Sequence, residues 1–393
     1  MKKILAAAVV TLLAWSAGTA CADWAITTAD FKEVKRATIN EWTVAEGLSF
    51  TPDNGELVKV KSRELVTLVS DRRPAPRTGK WQLALRNGDS LLGEPAGISG
   101  QTLNFKVAEL GTVGVPLKNV AAMTSTDAKN IVMAAPADRD LVRLKNGDAI
   151  EGIFVTITGD KLQMQNDAGD TEVELARVER LTLGGAFSPR AVPPLSARIT
   201  TISGSVLTVP MEGKEGLRWR IAEVTFSDPA GQSRKTSSDQ LLQVEVLGGR
   251  VVWLTELDPA KDVQSTFMGT KWPTQSNRNV VGGPMRMGKT EYRRGLGVHT
   301  RSALTFELDG SFDTLLIRGG LDDSAAPHGQ AKLSIVLDGK TLWQSETMKA
   351  GEISTELTLP VKNGRTLELK ADPADKLDVL GRVNWVNAAL IRK

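Results

Sequence analysis

Asp322 and Asp323 are adjacent carboxylates, and upstream of them lie His299, one of two histidines, and Tyr292, the only tyrosine. Asn384 and Trp385 follow near the end of the chain. Together these side chains suit recognition of a sugar ring. Trp272, Tyr292 and Trp385 offer aromatic faces for its apolar C–H side. His299, Asp322, Asp323, Asn384 and Asn387 offer polar groups for paired hydroxyls. The carboxylates of Asp322 and Asp323 could equally hold a calcium ion, which takes oxygen ligands. A simpler arrangement has them bonding neighbouring backbone and tying loops together.

The order of strands predicts where these groups meet. Tyr292 and His299 precede an alternating strand through Leu304, Phe306 and Leu308, whereas Asp322 and Asp323 follow the strand through Leu315 to Ile317. If the Asp309-Gly310 turn joins these two strands as an antiparallel pair, the start of one lies beside the end of the next. Tyr292, His299, Asp322 and Asp323 are then expected at one end of a sandwich. Further alternation at Leu333, Ile335 and Leu337, and at Leu357, Leu359, Leu367 and Leu369, supplies more strands. Asp338-Gly339 and Asn363-Gly364 read as hairpin turns between them.

Other chemistries lack their residues. A single cysteine and two histidines exclude a disulfide framework, a Cys-rich zinc site and a His-rich metal centre. The 49 basic and 46 acidic residues are balanced, which argues against a nucleic-acid partner. Gly283 to Thr290 matches the phosphate-loop pattern G-x-x-x-x-G-K-T. That loop needs a buried strand before it and a long helix after it. Here Gln275 to Asn279 is polar, and Gly295 and Gly297 would break a helix. A nucleophile elbow and an H-E-x-x-H motif are both missing, and nothing reads as a large barrel to carry a carboxylate pair. The chain is therefore expected to be non-catalytic.

The first half repeats itself. Leu85-Arg86-Asn87-Gly88-Asp89 recurs as Leu144-Lys145-Asn146-Gly147-Asp148, and the matching continues to Met123 and Leu181. Each unit, 81–123 and 141–183, reads as a strand meander with an Asn-Gly hairpin whose two central residues would both take positive φ. Weaker copies are expected at 23–70 and 196–227. The N-terminal segment has the form of a secretory signal. Lys2-Lys3 precedes an apolar run from Ile4 to Trp15, and Ala20-Cys21-Ala22 supplies a cleavage pattern. Residues 1–22 are expected to be a removed signal peptide. A lipid anchor at Cys21 is the alternative, although Gly18 stands where such signals usually carry Leu. Both place the protein outside the cytoplasm, secreted, periplasmic or in the cell envelope, with no transmembrane span.

Gly282-Gly283-Pro284-Met285-Arg286-Met287-Gly288, Tyr292-Arg293-Arg294-Gly295-Leu296-Gly297-Val298-His299, Gly320-Leu321-Asp322-Asp323, Val336 to Lys340 and Asn384 to Ala388 together resemble the NPCBM/NEW2 module. This is a carbohydrate-binding module found beside family 98 glycoside hydrolases. The resemblance covers 251–393 and implies a jelly-roll sandwich, galactose-type glycan partners and often a calcium ion. The chain departs from the family pattern before Trp385, where Gly381-Arg382-Val383-Asn384 stands in place of an acidic or His-containing run. The fold expected is all-β: N-terminal small-barrel, SH3-like β-meander repeats followed by a C-terminal jelly-roll β-sandwich. The function expected is binding of glycans or envelope polysaccharide. The alternatives are an envelope interaction protein, contacting other envelope proteins, whose sandwich no longer binds sugar, and a degenerate glycoside hydrolase.

Overall fold

A computed structural model describes residues 23–128, 139–167, 169–185, 194–213, 216–265, 269, 271–374 and 379–393. The signal segment 1–22, with Cys21, lies outside the described residues. Among the described residues, regular structure is strand and short 3₁₀ turn, an all-β architecture. No helix among the described residues is long and apolar enough to cross a membrane.

Four successive groups of elements recur: the first three each run four strands, a 3₁₀ turn and a fifth strand, and the fourth runs five strands, a 3₁₀ turn and a sixth strand. The second group runs Trp81–Leu85, Ser90–Ser99, Thr102–Val107, Gly111–Pro116, turn Leu117–Asn119 and Val120–Ser125; the third runs Asp140–Leu144, Ala149–Thr158, Lys161–Asn166, Gly169–Glu174, turn Leu175–Arg177 and Val178–Thr182. The first lies within 24–70. The fourth adds Trp219 and Phe226 to the core and continues past residue 227 through Ser233–Ser237 to Leu241–Leu247. The weaker copy at 196–227 thus stops short of the strand that pairs with its first one, Ser196 with Leu247. Its sequence gave no sign of this because the intervening Ser233–Ser237 strand is polar. The groups join through their last strands: Met123 lies opposite Leu181 and Val244 opposite Leu68.

The Asn-Gly-Asp turns differ from expectation. Positive φ falls on Gly88 (87°) and Gly147 (98°), and not on Asn87 or Asn146. Gly88 N donates to Leu85 O and Leu85 N to Asp89 O. This is a type I turn closed by a glycine bulge, which needs a single left-handed residue. The two aspartates then diverge. Asp148 is exposed, whereas Asp89 is buried and accepts bonds from Thr208 N (2.6 Å), Thr208 Oγ1 (2.7 Å) and Asn87 Nδ2 (2.8 Å). It ties the second group to the fourth. Asp89→Ala should cost about 1–3 kcal/mol because it strands buried donors. Asp148→Ala should change stability by less than about 0.5 kcal/mol. Urea unfolding of the two variants checks the difference.

The C-terminal unit is a two-sheet sandwich. One sheet orders its strands as Gln275–Ser276, Gly295–His299, Arg382–Arg392, Phe312–Leu321 and Leu357–Pro360, with Val251–Trp253 also on the long Arg382–Arg392 strand. The other orders Lys261–Gln264, Ser302–Glu307, Thr366–Pro373, Gln330–Leu337 and Lys340–Gln344. Alternate residues of both sheets, including Leu304, Phe306, Leu333, Ile335, Leu315 and Ile317, fill one core. The Asp338-Gly339 hairpin forms as read, with φ of 48° and 80° and Leu337 opposite Lys340. The Asp309-Gly310 and Asn363-Gly364 turns are not hairpins. Ser302–Glu307 pairs with Thr366–Pro373, and Phe312–Leu321 with Arg382–Arg392, so both turns carry the chain from one sheet to the other. Alternation reports which face of a strand is buried and is silent on which sheet the next strand joins.

Candidate functional site

The candidate site is the end of the sandwich where three strands of the first sheet terminate. The pairing registers place it. His299, the last residue of its strand, lies opposite Arg382, and Leu321, the last of its own, lies opposite Val383. Arg382 therefore stands between His299 and Asp322, and its carbonyl accepts from Asp322 N (2.9 Å). The next turn is held by Thr300 N donating to Gly381 O (2.7 Å). A Cβ on Gly381 would fall 1.9 Å from Thr300 Oγ1, so only glycine fits there. His299 and the Asp pair thus share one end, although the pairing that brings them there runs through Arg382–Arg392 and not through the Asp309-Gly310 turn.

An aromatic platform forms at this end. The Trp272 ring stacks on His299, centroids 5.6 Å apart and planes 13° apart, and Trp272 is 37% exposed. Its backbone N donates to Gln264 Oε1 (2.6 Å), which anchors the loop to the Lys261–Gln264 strand of the opposite sheet. His299 Nδ1 lies 3.4 Å from Thr300 Oγ1. Val263, in the same neighbourhood of sequence, is also exposed.

The remaining residues take other places. Trp385 is fully buried in the sandwich core. A Cβ on Gly319 would meet its ring at 2.7 Å, so the glycine makes room for the indole. As a sugar platform Trp385 is excluded, because its strand is covered on both faces. Asn384, its neighbour on the alternate face, is also fully buried, and its Nδ2 donates to Asp322 Oδ2 (2.7 Å). Tyr292 sits in the Met285–Met287/Thr290–Tyr292 hairpin, packed with Met285, Met287, Val386 and Ile353. Its strand ends at Tyr292 and belongs to a two-stranded hairpin separate from the sheet in which His299 lies opposite Arg382. The Tyr292 ring packs into the hairpin's own apolar cluster, whereas His299 stacks on Trp272.

Asp322 and Asp323 are committed to holding that hairpin. The Asp322 carboxylate accepts from Asn279 Nδ2 (3.2 Å), Arg286 N (3.0 Å), Ser324 N (3.0 Å), Ser324 Oγ (2.5 Å) and Asn384 Nδ2. Asp323 accepts from Gly288 N (2.9 Å) and Lys289 N (3.1 Å). Burial works against ionisation of Asp322. The bonds from Ser324, the Arg286 amide and Asn384 outweigh it and hold the carboxyl below its ordinary 3.8. A calcium ion does not fit here. The carboxylate oxygens face N–H and O–H donors, and a cation needs a shell of acceptors. Among the described residues no group of three or more His, Cys, Asp or Glu side chains is placed to hold a metal. The phosphate-loop match resolves in the same way. Its backbone amides at Arg286, Gly288 and Lys289 face the two carboxylates, and a hairpin stands where a helix would be required.

The reading from residue types missed Asn279. It is buried, its Oδ1 accepts from Gly283 N (2.8 Å), and its Nδ2 donates to Pro284 O (3.1 Å) as well as to Asp322. A lone Asn in a polar stretch carries no signal of such a role.

Fold and site define a β-sandwich module whose loops build one working end. Residues 250–391, the C-terminal unit, match the family model of the NPCBM/NEW2 domain. A curated relative, named "Putative endo-alpha-N-acetylgalactosaminidase" and found in Renibacterium salmoninarum, is 23% identical over 202 residues. That match takes in 47% of this chain, and the chain spans 13% of the length of that relative. Two solved structures are similar. One is a CBM51 module from Clostridium perfringens in complex with methyl-galactose, with 17% identity, 36% of this chain, 99% of that chain and a TM-score of 0.32. The other is the tandem CBM51 modules of the family 98 glycoside hydrolase from Streptococcus pneumoniae, with 12% identity, 94% of this chain, 100% of that chain and a TM-score of 0.33.

Proposed function

We propose that this is an exported, non-catalytic protein that binds carbohydrate through its C-terminal module, with galactose-type glycans as the ligand class. The N-terminal groups, which we read as SH3-like repeats, present the module. The observation that carries this reading is the exposed Trp272 ring stacked on His299 at the sandwich end, within a module that matches the NPCBM/NEW2 domain. A partly exposed indole suits the apolar side of a pyranose. Asp322, Asp323 and Asn384 serve by fixing the loops and not by touching sugar. The bonds that Asp322 and Asp323 make to Arg286 N, Gly288 N and Lys289 N also argue against a carboxylate pair working on a glycosidic bond, which needs two free carboxyl groups at a set separation.

Titration calorimetry of the full chain with methyl-galactose, together with a glycan array, tests the proposal. Binding is expected in the parent. Trp272→Ala should weaken it at least tenfold, which corresponds to about 1.4 kcal/mol, while the melting temperature moves by no more than about 2 °C. Absence of any glycan signal in a folded parent would overturn the reading. It would favour an envelope interaction protein, for which the loop-tying roles of Asp322 and Asp323 are sufficient. Hydrolysis of aryl-glycosides is not expected.

A further inference from the structure

The module sits on the repeats through two adjoining contacts. Ala29, Val66, Val251 and Ala389 form a small buried apolar cluster with Trp253 against it, and Phe31 meets Trp253 edge-on at 6.4 Å. Beside this cluster runs a chain of alternating charge. Asp89 Oδ1 lies 3.9 Å from Arg198 Nε, and Arg198 Nη1 3.7 Å from Glu245 Oε2. Glu245 Oε1 lies 2.5 Å from Arg294 Nη2, and Arg294 Nη1 3.3 Å from Glu256 Oε1. The chain passes from the second group through the fourth into the module. The Arg294 guanidinium also lies 4.7 Å over the Trp253 ring.

Three acids face two guanidiniums in this chain, so one negative charge is in excess. The imbalance falls where it is hardest to hold. Glu256 is buried, its side chain 3% exposed, and its Oε2 has no hydrogen-bond partner among the described residues. Asp89, at the other end, is also pushed upward by burial, but against bonds from Thr208 and Asn87 and the charge of Arg198, whereas Glu256 Oε2 has no such bonds among the described residues. An ionised carboxylate with an unpartnered oxygen is costly in such a site, and a proton on it removes both the excess charge and much of the desolvation cost.

We infer that the seat of the module on the repeats is a proton-linked joint, closed with Glu256 protonated and loosened when Glu256 ionises. Burial pushes this carboxyl from its ordinary 4.5 up to about 7, against the pull of Arg294, Arg198 and a backbone hydrogen bond from Trp253, with Glu245 adding to the rise. The closed joint therefore holds the proton more tightly than the open one. The stabilisation is complete below about pH 4.5 and is lost as the pH rises through about 7. The inference is independent of sugar binding, because the joint contains none of the residues at the sandwich end.

Hydrogen exchange of the full chain between pH 5 and pH 8, corrected for intrinsic rates, tests it in the segments 250–257 and 290–297. Protection there should fall on the order of 50-fold across the range, while Leu333 to Ile335 in the sandwich core keep theirs. Glu256→Gln, which carries no charge at any pH, should hold the joint's protection within about threefold. Flat protection in the parent, or an unchanged pH dependence in Glu256→Gln, would overturn the inference. Should that variant not fold, carboxyl ¹³C titration of the glutamates in the parent decides. One glutamate titrating above pH 6 supports the joint, and all of them titrating below pH 6 refutes it.

Discussion

Asp322→Ala should destabilise the C-terminal module by about 3–5 kcal/mol, through loss of charge-assisted bonds and orphaning of several buried donors at once. Asn279 Nδ2, Arg286 N, Ser324 N and Asn384 Nδ2 all point at this carboxylate, and Asn279 and Asn384 are too deeply buried to turn to water. Asp322→Asn should recover little, because an amide NH₂ would face a donor. The pH dependence has a defined sign. The folded carboxyl titrates below the ordinary 3.8, so its contribution is complete above that pH and is lost as the pH falls through the lower folded value. Thermal melts of the full chain at pH 7 and pH 3 check this. The parent and Asp322→Ala should differ widely at pH 7 and converge on acidification. A difference of less than about 1 kcal/mol at pH 7 would show that the Asp322 bonds are not what holds the hairpin.

Trp385→Ala should cost about 3–5 kcal/mol, the range for removing a large aromatic from a packed core. Trp385 is wholly buried and lies against Gly319. Its Nε1 has no partner among the described residues, so Trp385→Phe keeps most of the packing, gives up no hydrogen bond, and should cost about 1–2 kcal/mol. The contrast with Trp272 separates the two tryptophans. Loss at Trp385 appears in chemical denaturation, whereas loss at Trp272 appears in sugar titration with the melt nearly unchanged. A Trp385→Phe module that folds as the parent does and loses sugar binding would place that ring at the ligand.

Much of this protein is legible in its amino-acid sequence. The all-β character followed from short alternating runs separated by Gly-containing turns. The module was visible because its signature lies in contiguous blocks such as Gly295-Leu296-Gly297-Val298-His299 and Gly320-Leu321-Asp322-Asp323. Local order of this kind is written in neighbouring residues, where period and turn chemistry act over a few positions. The recurrence of Leu-x-Asn-Gly-Asp belongs to the same class, since a repeated turn is a repeated local constraint.

What each polar residue does was decided only by the tertiary structure. Asp89 and Asp148 occupy the same place in the same five-residue pattern, yet one is buried against Thr208 and the other meets water, because only one turn is covered by the fourth group. Asp322 and Asp323 look like ligand groups in sequence and are spent on backbone amides drawn from 34 to 36 residues upstream. Trp272 and Trp385 are alike in type. The loop leaves one at an open end, and the long strand puts the other between two sheets. The charge chain from Asp89 to Glu256 joins residues far apart in the chain, and nothing in the sequence around its five members marks them as one network. Burial and partner choice depend on which distant segment arrives to cover a side chain, and no periodicity along a single strand records that arrival.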